Sequence, residues 1–168
     1  GSEMCIRDSI EGENAVTIRD LIRCALRMRP DRIVIGEVRD AVAIDMLQAM
    51  NTGHDGSLST GHANSTADMI NRLETLVLMG MDIPVSAVRG QIASALDIIV
   101  HLGRLRDGSR RVLAIDEVET VKEGKVELLP LFRFCETGEK NGRVVGELKK
   151  TGGEFNNTEK CRRAGITL

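Results

Sequence analysis

The sequence predicts an α/β domain with parallel strands, and three features between residues 27 and 65 indicate this fold class. The apolar or small run from Ile33 to Gly36 is typical of a strand that is covered on both faces. A helical pattern follows over residues 40–50, and residues 57–60 then form a second short strand. Strands separated by a helix are typical of parallel sheets, because parallel strands need a crossover connection.

Polar side chains at the ends of these two strands are the candidate catalytic residues. Glu37 directly follows the first strand, and ligands of open α/β sheets bind outside the carboxyl ends of the strands. A carboxylate there suits Mg²⁺ or an attacking water, so Glu37 is predicted both as a catalytic residue and as a metal ligand. His54 and His62 end two similar Thr-Gly-His turns and bracket the second strand. Asp40 is either a second carboxylate or, as we prefer, the first-turn acid of the helix that follows.

The first helix is predicted from Val16, with Thr17 as its N-cap and Asp20 completing a capping box. One polar face carries three arginines at helical spacing, Arg19, Arg23 and Arg27. Such a face is usually solvated. The alternative interpretation is that one of these arginines contacts a phosphate or a neighbouring subunit.

Two more helices are expected after the second histidine. Ser65, with Asp68 three residues later, is predicted to cap a helix that ends at Gly80. Pro84 is suited to the first turn of the next helix, over about residues 85–96. These helices supply the apolar stripes that a parallel sheet needs for its cover.

The last strands follow these helices. Residues 96–102 predict another buried parallel strand, in which His101 is an ordinary strand residue. Residues 111–121 and 125–134 are two apolar-rich runs joined by a turn at 122–124, which predicts an antiparallel hairpin. We expect this hairpin to form the far edge of the parallel sheet.

Composition is typical of one globular domain and excludes several classes of function. The chain has 168 residues, of which 42% are hydrophobic, enough to bury a core. Its net charge of -2, with no Trp or Tyr and three Phe, gives neither the basic surface nor the stacking platform of a nucleic-acid-binding protein. No apolar run has the length that spans a bilayer, so the predicted location is the cytoplasm.

The cysteines do not indicate a metal centre. The four of them stand alone in the sequence, at Cys5, Cys24, Cys135 and Cys161. A zinc site built from them and the histidines would need ligand pairs close in sequence, which are absent. We interpret the cysteines as reduced bystanders.

Several stretches together resemble one family. LRMRPDRIVIGEVRD, DMLQAMNTGHDGS, STGHANS, NRLETLVLMG and IASALDIIVHLGRLRDGSRRV are similar to the Walker B and histidine-box segments of the type II/IV secretion-system ATPases. They are most similar to the branch that powers assembly of Flp (tight-adherence) pili. The resemblance begins near Ile10 and implies a RecA-like P-loop NTPase core, with ATP and Mg²⁺ as cofactors.

The resemblance also implies roles for individual residues. Glu37 would hold Mg²⁺ through water or orient the attacking water. His54 and His62 would sense the γ-phosphate or bridge to an adjacent subunit. Nucleotide binding would involve three further residues, Gly36, Arg27 and Arg72.

Partners are implied only by the resemblance. Relatives work as hexamers with a secretion platform at the inner face of the cytoplasmic membrane. A conjugation-type DNA-transfer ATPase and a pilus-retraction motor would share the same strand, carboxylate and histidines. A non-catalytic assembly module is the alternative outside enzymes.

The phosphate-binding motif of such ATPases does not occur in the sequence. No G-x-x-x-x-G-K-[ST] string is present, so residues 10–134 are predicted to be the C-terminal part of a RecA-like domain, truncated at its N-terminus and inactive alone. Residues 1–9 are predicted to be a tag remnant or an assembly-junction artefact. Residues 135–168 are expected to form a Gly-rich tail with a short helix around residues 158–164.

Overall fold

A computed structural model describes residues 3–6 and 16–167, and within these residues the chain forms two sheets and five helices. In chain order the elements are β1 (Glu3–Ile6), α1 (Ile18–Arg27), β2 (Arg32–Ile35), α2 (Ala43–Met50), β3 (Leu58–Ser59), α3 (Thr66–Leu78), α4 (Val85–Ala95), β4 (Ile98–Arg104), β5 (Arg110–Lys122), β6 (Lys125–Lys140), β7 (Arg143–Lys150) and α5 (Thr158–Arg163).

The first sheet is parallel, with strand order β1-β2-β3. On β2 the side chains of Ile33 and Ile35 are each 1% exposed, which confirms a strand buried in the core. They pack in one cluster with residues of the first four helices, among which Leu47, Val77 and Ile92 are fully buried. The predicted α/β class is therefore confirmed.

The N-caps predicted for α1 and α3 are also confirmed. The Thr17 hydroxyl accepts a hydrogen bond from the backbone N–H of Asp20 at 3.2 Å, and Asp20 accepts one from the Thr17 N–H, which completes the capping box. Ser65 caps α3 by accepting from the Asp68 N–H at 3.0 Å. Pro84 is the N-cap of α4 and not a first-turn residue. In the described part of the chain, no helix combines the length and the apolar character needed to cross a bilayer.

The prediction for β4 is wrong in both direction and burial. β4 pairs antiparallel with β5 in a second sheet, and three outward side chains are exposed, Ile98 by 45%, Val100 by 46% and Leu102 by 65%. The connection to β5 covers only residues 105–109, too short for the crossover that a parallel neighbour would require. The alternation of burial was not visible in the sequence because both faces of β4 carry apolar residues.

The hairpin between β5 and β6 is confirmed. Lys122 and Lys125 face each other across the turn, and Glu123 and Gly124 have φ angles of 48° and 75°. Two successive positive φ angles are the geometry of a type I′ turn, which matches the twist of the flanking strands. The hairpin is nevertheless not the far edge of the parallel sheet. It forms the middle of the separate sheet β4-β5-β6-β7.

Much of the predicted Gly-rich tail, residues 135–168, belongs to the second sheet. β6 continues to Lys140, and β7 returns over Arg143–Lys150 after a turn at Asn141 and Gly142, so residues 135–150 form a hairpin. An Asn-Gly pair is the strongest short hairpin signal, and it was overlooked. The short helix is confirmed as α5.

The sequence predicts no element in residues 1–9, whereas the structure pairs Glu3–Ile6 with β2 as the parallel strand β1. A strand of four residues is too short to show a periodic pattern. The separate origin of residues 1–9 stays a prediction, as do the domain boundaries. The start of the resemblance near Ile10 lies outside the described residues.

Candidate functional site

The loops that follow β2 and β3 are hydrogen-bonded to each other. The Val38 N–H donates to the Thr60 carbonyl at 3.0 Å, and the Thr60 hydroxyl donates to the Gly36 carbonyl. Since β2 and β3 are parallel, both loops leave the sheet at its carboxyl edge. The contact therefore brings Glu37, after β2, close to His62, after β3.

Glu37 is the centre of a small charged cluster. Its Oε1 lies 3.2 Å from Nε2 of His62, and its Oε2 accepts a hydrogen bond from Nη2 of Arg39 at 2.5 Å. Arg72, on α3, adds an attractive charge. The structure thus brings together three predicted site residues, Glu37, His62 and Arg72. Arg39 was missed, although its place two residues after Glu37 could have suggested it.

These neighbours hold the carboxylate in its ionised form. The hydrogen bond from Arg39 is the main cause that lowers the pKa of Glu37 below its usual value of 4.5. The charges of Arg39, His62 and Arg72 act in the same direction, against partial desolvation. A lowered pKa means that the cluster stabilises the fold above the unfolded-state pKa and that this contribution is lost as the pH falls through the folded-state pKa.

We expect Arg39→Gln to raise the pKa of Glu37 toward 4.5, because it removes the largest of these causes. The measurement is an NMR titration of the Glu37 side-chain carboxyl carbon in the wild type and the variant. His62→Gln is the matched comparison and should raise the pKa less, since the charge of His62 is a weaker cause. An unchanged pKa in Arg39→Gln would contradict the cluster as described.

The other predicted histidine lies elsewhere. Nδ1 of His54 lies 3.1 Å from the carbonyl of Ala49 at the end of α2, a hydrogen bond in which the ring nitrogen would donate. The His54 carbonyl accepts from the Ser57 hydroxyl, and that hydroxyl accepts from the N–H of Ile33 near the start of β2. The loop of His54 is therefore at the amino edge of the sheet. The two histidines bracket β3 as predicted, but His62 is the one that contacts Glu37.

Arg27 and Asp40 are also placed away from the Glu37 carboxylate. Arg27 is the last residue of α1, exposed, and precedes the amino end of β2. Asp40 uses its carboxylate to accept from the Val42 N–H at 2.9 Å in the turn before α2, which begins at Ala43 and not at Asp40. This local role favours the interpretation of Asp40 as a helix-start acid over a second carboxylate.

A cleft of about 510 Å³ adjoins the Glu37 cluster. One wall is the loop 61–65 with Met69 of α3, and the other is β4 with Arg110. His62 and His101 both line it, so His101 is a strand residue, as predicted, that also lines the cleft. The cleft lies between an end of the parallel sheet and the edge strand of the second sheet.

No group of three His, Cys, Asp or Glu residues converges anywhere in residues 16–167 in a way that could hold a metal ion. Mg²⁺ commonly keeps several waters and takes one or two carboxylates together with substrate phosphates. The Glu37 side chain is 22% exposed and fits the role of a single carboxylate beside water-bound Mg²⁺.

Two buried carboxylates on β5, Asp116 and Glu117, are not among the predicted residues; they are 1% and 2% exposed. Asp116 accepts from the Thr66 hydroxyl at 2.5 Å and from the guanidinium of Arg133. Two adjacent acids within the apolar run of β5 were the available signal, because buried charges need partners. Neighbouring residues on a strand face opposite sides of the sheet, so the two serve different contacts.

Glu117 holds the C-terminal segment, residues 151–163. Its carboxylate accepts from the backbone N–H of Asn156 at 2.8 Å and from that of Asn157 at 2.6 Å. Lys160 of α5 donates to both oxygens of Asp97 at 2.8 Å. Polar contacts thus fix this segment against the second sheet.

The chain is thus an α/β domain in which a carboxylate and an imidazole meet at the carboxyl edge of parallel strands, where the ligands of open α/β sheets bind. The sequence profile described as "Type II/IV secretion system protein" matches residues 3–160. The chain therefore belongs to the type II/IV secretion system protein family.

The names of similar proteins agree with membership of this family. The "Putative conjugal transfer protein Rv3659c" of Mycobacterium tuberculosis is 42% identical over 126 residues, which are 75% of this chain and 35% of that protein. The type IV secretion system protein PtlH of Bordetella pertussis is 43% identical over 104 residues, 58% of this chain and 30% of that protein. The chain spans about a third of the length of these curated relatives.

A solved structure shows the same fold. The VirB11 ATPase of the Brucella suis type IV secretion system, crystallised with sulphate, superposes with a TM-score of 0.61 and 28% identity. The match covers 68% of this chain and 39% of that one. Proteins similar to this chain are thus named as ATPases of secretion systems.

Proposed function

We propose that the complete protein hydrolyses ATP and that the energy drives transport by a secretion machine. The observation that carries the proposal is the Glu37–His62 pair, held at the carboxyl edge of the parallel sheet beside an open cleft. Similarity to a secretion ATPase of solved structure supports it. A non-catalytic assembly module is the alternative outside enzymes, and it requires no ATP.

Glu37 acts on the attacking water in this proposal. A carboxylate with a lowered pKa is a weak base at neutral pH, which suits orienting a water or holding Mg²⁺ through water better than full proton abstraction. Gly36 directly precedes Glu37 and has no side chain, so this position supplies no second carboxylate. Arg39 and Arg72 supply positive charge near Glu37, which would offset the charge of phosphate groups.

The remaining predicted residues have coupling roles in the proposal. His62 can donate one hydrogen bond and accept another, and so relay the state of the γ-phosphate from beside Glu37. His54, whose Nδ1 contacts the Ala49 carbonyl, and Arg27, exposed at the end of α1, are both at the amino edge. We assign these two to contacts with an adjacent subunit of a hexamer.

ATP and Mg²⁺ are the cofactors of the proposed reaction. Bound Mg²⁺ would neutralise charge that develops on the transferred phosphoryl group. A phosphate loop of the type G-x-x-x-x-G-K-[ST] would come from another part of the complete protein. The cleft between loop 61–65 and β4 is open to such a loop and to a nucleotide.

Two kinds of transport are candidates. The stretch DMLQAMNTGHDGS favours assembly of Flp pili. Names of relatives, conjugal transfer and type IV secretion proteins, favour transfer of DNA or protein substrates. Either would involve a platform at the inner face of the cytoplasmic membrane as partner, with the ATPase itself in the cytoplasm.

The test is ATP turnover by the complete protein, obtained by extending the reading frame in genomic DNA upstream of the codon for Ile10. We expect a phosphate-loop motif in the extended frame and Mg²⁺-dependent release of phosphate that EDTA abolishes. A complete frame without that motif, and no turnover, would support the assembly module instead. Deletion of the gene, scored for pili and for DNA transfer, separates the two transport candidates.

A further inference from the structure

The loop that carries His62 is fixed at its two ends, in addition to the contact of its histidine with Glu37. The imidazole side chain is 82% exposed, so packing does little to hold it in place. At one end, Thr60 is bonded to the segment of Glu37 through its hydroxyl and its carbonyl. At the other end the loop passes through Ser65 into α3. The position of His62 against Glu37 therefore depends on both anchors.

The second anchor leads to a buried carboxylate in the other sheet. Thr66 is the first residue of α3 and 7% exposed, and its hydroxyl donates to Oδ2 of Asp116 at 2.5 Å. The Oδ1 of Asp116 accepts from Arg133 on β6. Each carboxylate oxygen has a donor, as a buried charge requires. Hydrogen bonds to an ionised group are stronger than those between neutral groups, so Thr66 is held firmly.

We propose that Asp116 is a positioning residue for His62. It holds Thr66, Thr66 fixes the start of α3, and the start of α3 sets the end of loop 61–65. The proposal rests on the proposed function, in which His62 acts beside Glu37. It also gives the second sheet a part in the site, since β5 supplies the carboxylate that holds Thr66 at this end of the loop.

A simpler account is that Asp116 only joins β5 to β6 through Arg133. The two accounts differ in what the Thr66 hydroxyl does. Thr66→Val keeps the shape of the side chain, removes the hydroxyl and leaves the Asp116–Arg133 contact in place. Thr66→Ser restores the hydroxyl. Thr75→Val is the matched control, because Thr75 is on the same helix and its hydroxyl bonds only to the Asn71 carbonyl.

The first measurement is hydrogen exchange in this chain. We expect Thr66→Val to make the amides of residues 61–66 exchange roughly 5–10-fold faster, while Thr66→Ser and Thr75→Val leave them close to wild type. If Thr66→Val does not fold, Thr66→Cys, whose thiol is a weak donor, should show the same change to a smaller extent. Wild-type exchange in a folded valine variant overturns the proposal.

The second measurement is steady-state ATP turnover in the complete protein. Small displacements of a catalytic group cost rate and spare binding, so kcat should fall roughly 10–100-fold in Thr66→Val with KM within about 2-fold of wild type. Recovery in Thr66→Ser supports the proposal, and an equal loss in Thr75→Val overturns it. Should the wild type itself show no turnover, the proposed function fails, while the exchange result still decides whether Asp116 holds the loop.

Discussion

Glu37→Gln in the complete protein should lower the rate of ATP hydrolysis by about 10²–10⁴-fold, the range for loss of a positioned acid–base group. The amide keeps the size of the side chain but loses the negative charge that orients water or binds hydrated Mg²⁺. It also removes a negative charge that would repel the phosphate groups of ATP. We therefore expect ATP affinity to stay within about 2-fold of wild type or to rise, because less negative charge faces the phosphates.

The measurement combines single-turnover hydrolysis with equilibrium binding of a fluorescent ATP analogue. Glu147→Gln is the matched control, because Glu147 is an exposed carboxylate of β7 that pairs only with a nearby lysine, Lys149. It should hydrolyse ATP at the wild-type rate. Normal turnover in Glu37→Gln would remove Glu37 from the mechanism, and equal losses of binding and turnover would assign it to nucleotide affinity alone.

Local signals in the sequence predicted the parts of the fold that local interactions determine. This holds for four features, each specified within a few residues: the capping box at Thr17, the cap at Ser65, the strand that ends before Glu37 and the hairpin at Glu123 and Gly124. Glu37 and His62 were each predicted to follow a strand, and the structure brings the two side chains together because parallel strands end at one edge.

Features that depend on contacts between distant residues were less predictable. An apolar strand such as β4 can join either sheet, and the length of its connection to β5, not its own residues, decides the direction. His54 and His62 have nearly identical surroundings in the sequence, yet β3 places them at opposite edges. Periodicity does not distinguish these cases, because it reports which face is buried and not which neighbour buries it.

Buried charges were the hardest part to predict. Asp116 and Glu117 lie in an apolar run where acids appear out of place, and their partners are far away in the chain. Thr66 is 50 residues before Asp116, and Asn157 is 40 residues after Glu117. The sequence indicates that such carboxylates need donors, but only the folded chain shows which donors they have.

The C-terminal segment gives the second large effect that we expect, on stability. Glu117→Ala removes both acceptors for the N–H groups of Asn156 and Asn157 and leaves a cavity at a site that is 2% exposed. Loss of two charge-assisted hydrogen bonds should lower the free energy of unfolding by about 2–4 kcal/mol. Hydrogen bonds to charged groups contribute about 1.5–3 kcal/mol each, and water that reaches the freed N–H groups offsets part of the loss. The melting temperature should fall by roughly 5–15 °C.

The location of the loss can be resolved by hydrogen exchange. Release of residues 151–163 lets water satisfy their freed amides, so these residues should exchange roughly 30-fold faster or more, while β2 and α4 change only with global stability. Glu119→Ala is the control two residues along β5, where Glu119 accepts from a side chain, Asn156 Nδ2 at 3.0 Å, and holds no backbone N–H of the segment. It should lower stability by less than about 1 kcal/mol, as exposed polar contacts do. If Glu117→Ala lowered stability as little as Glu119→Ala, the segment would be held by α5 and its Lys160–Asp97 ion pair, and not by the Glu117 carboxylate.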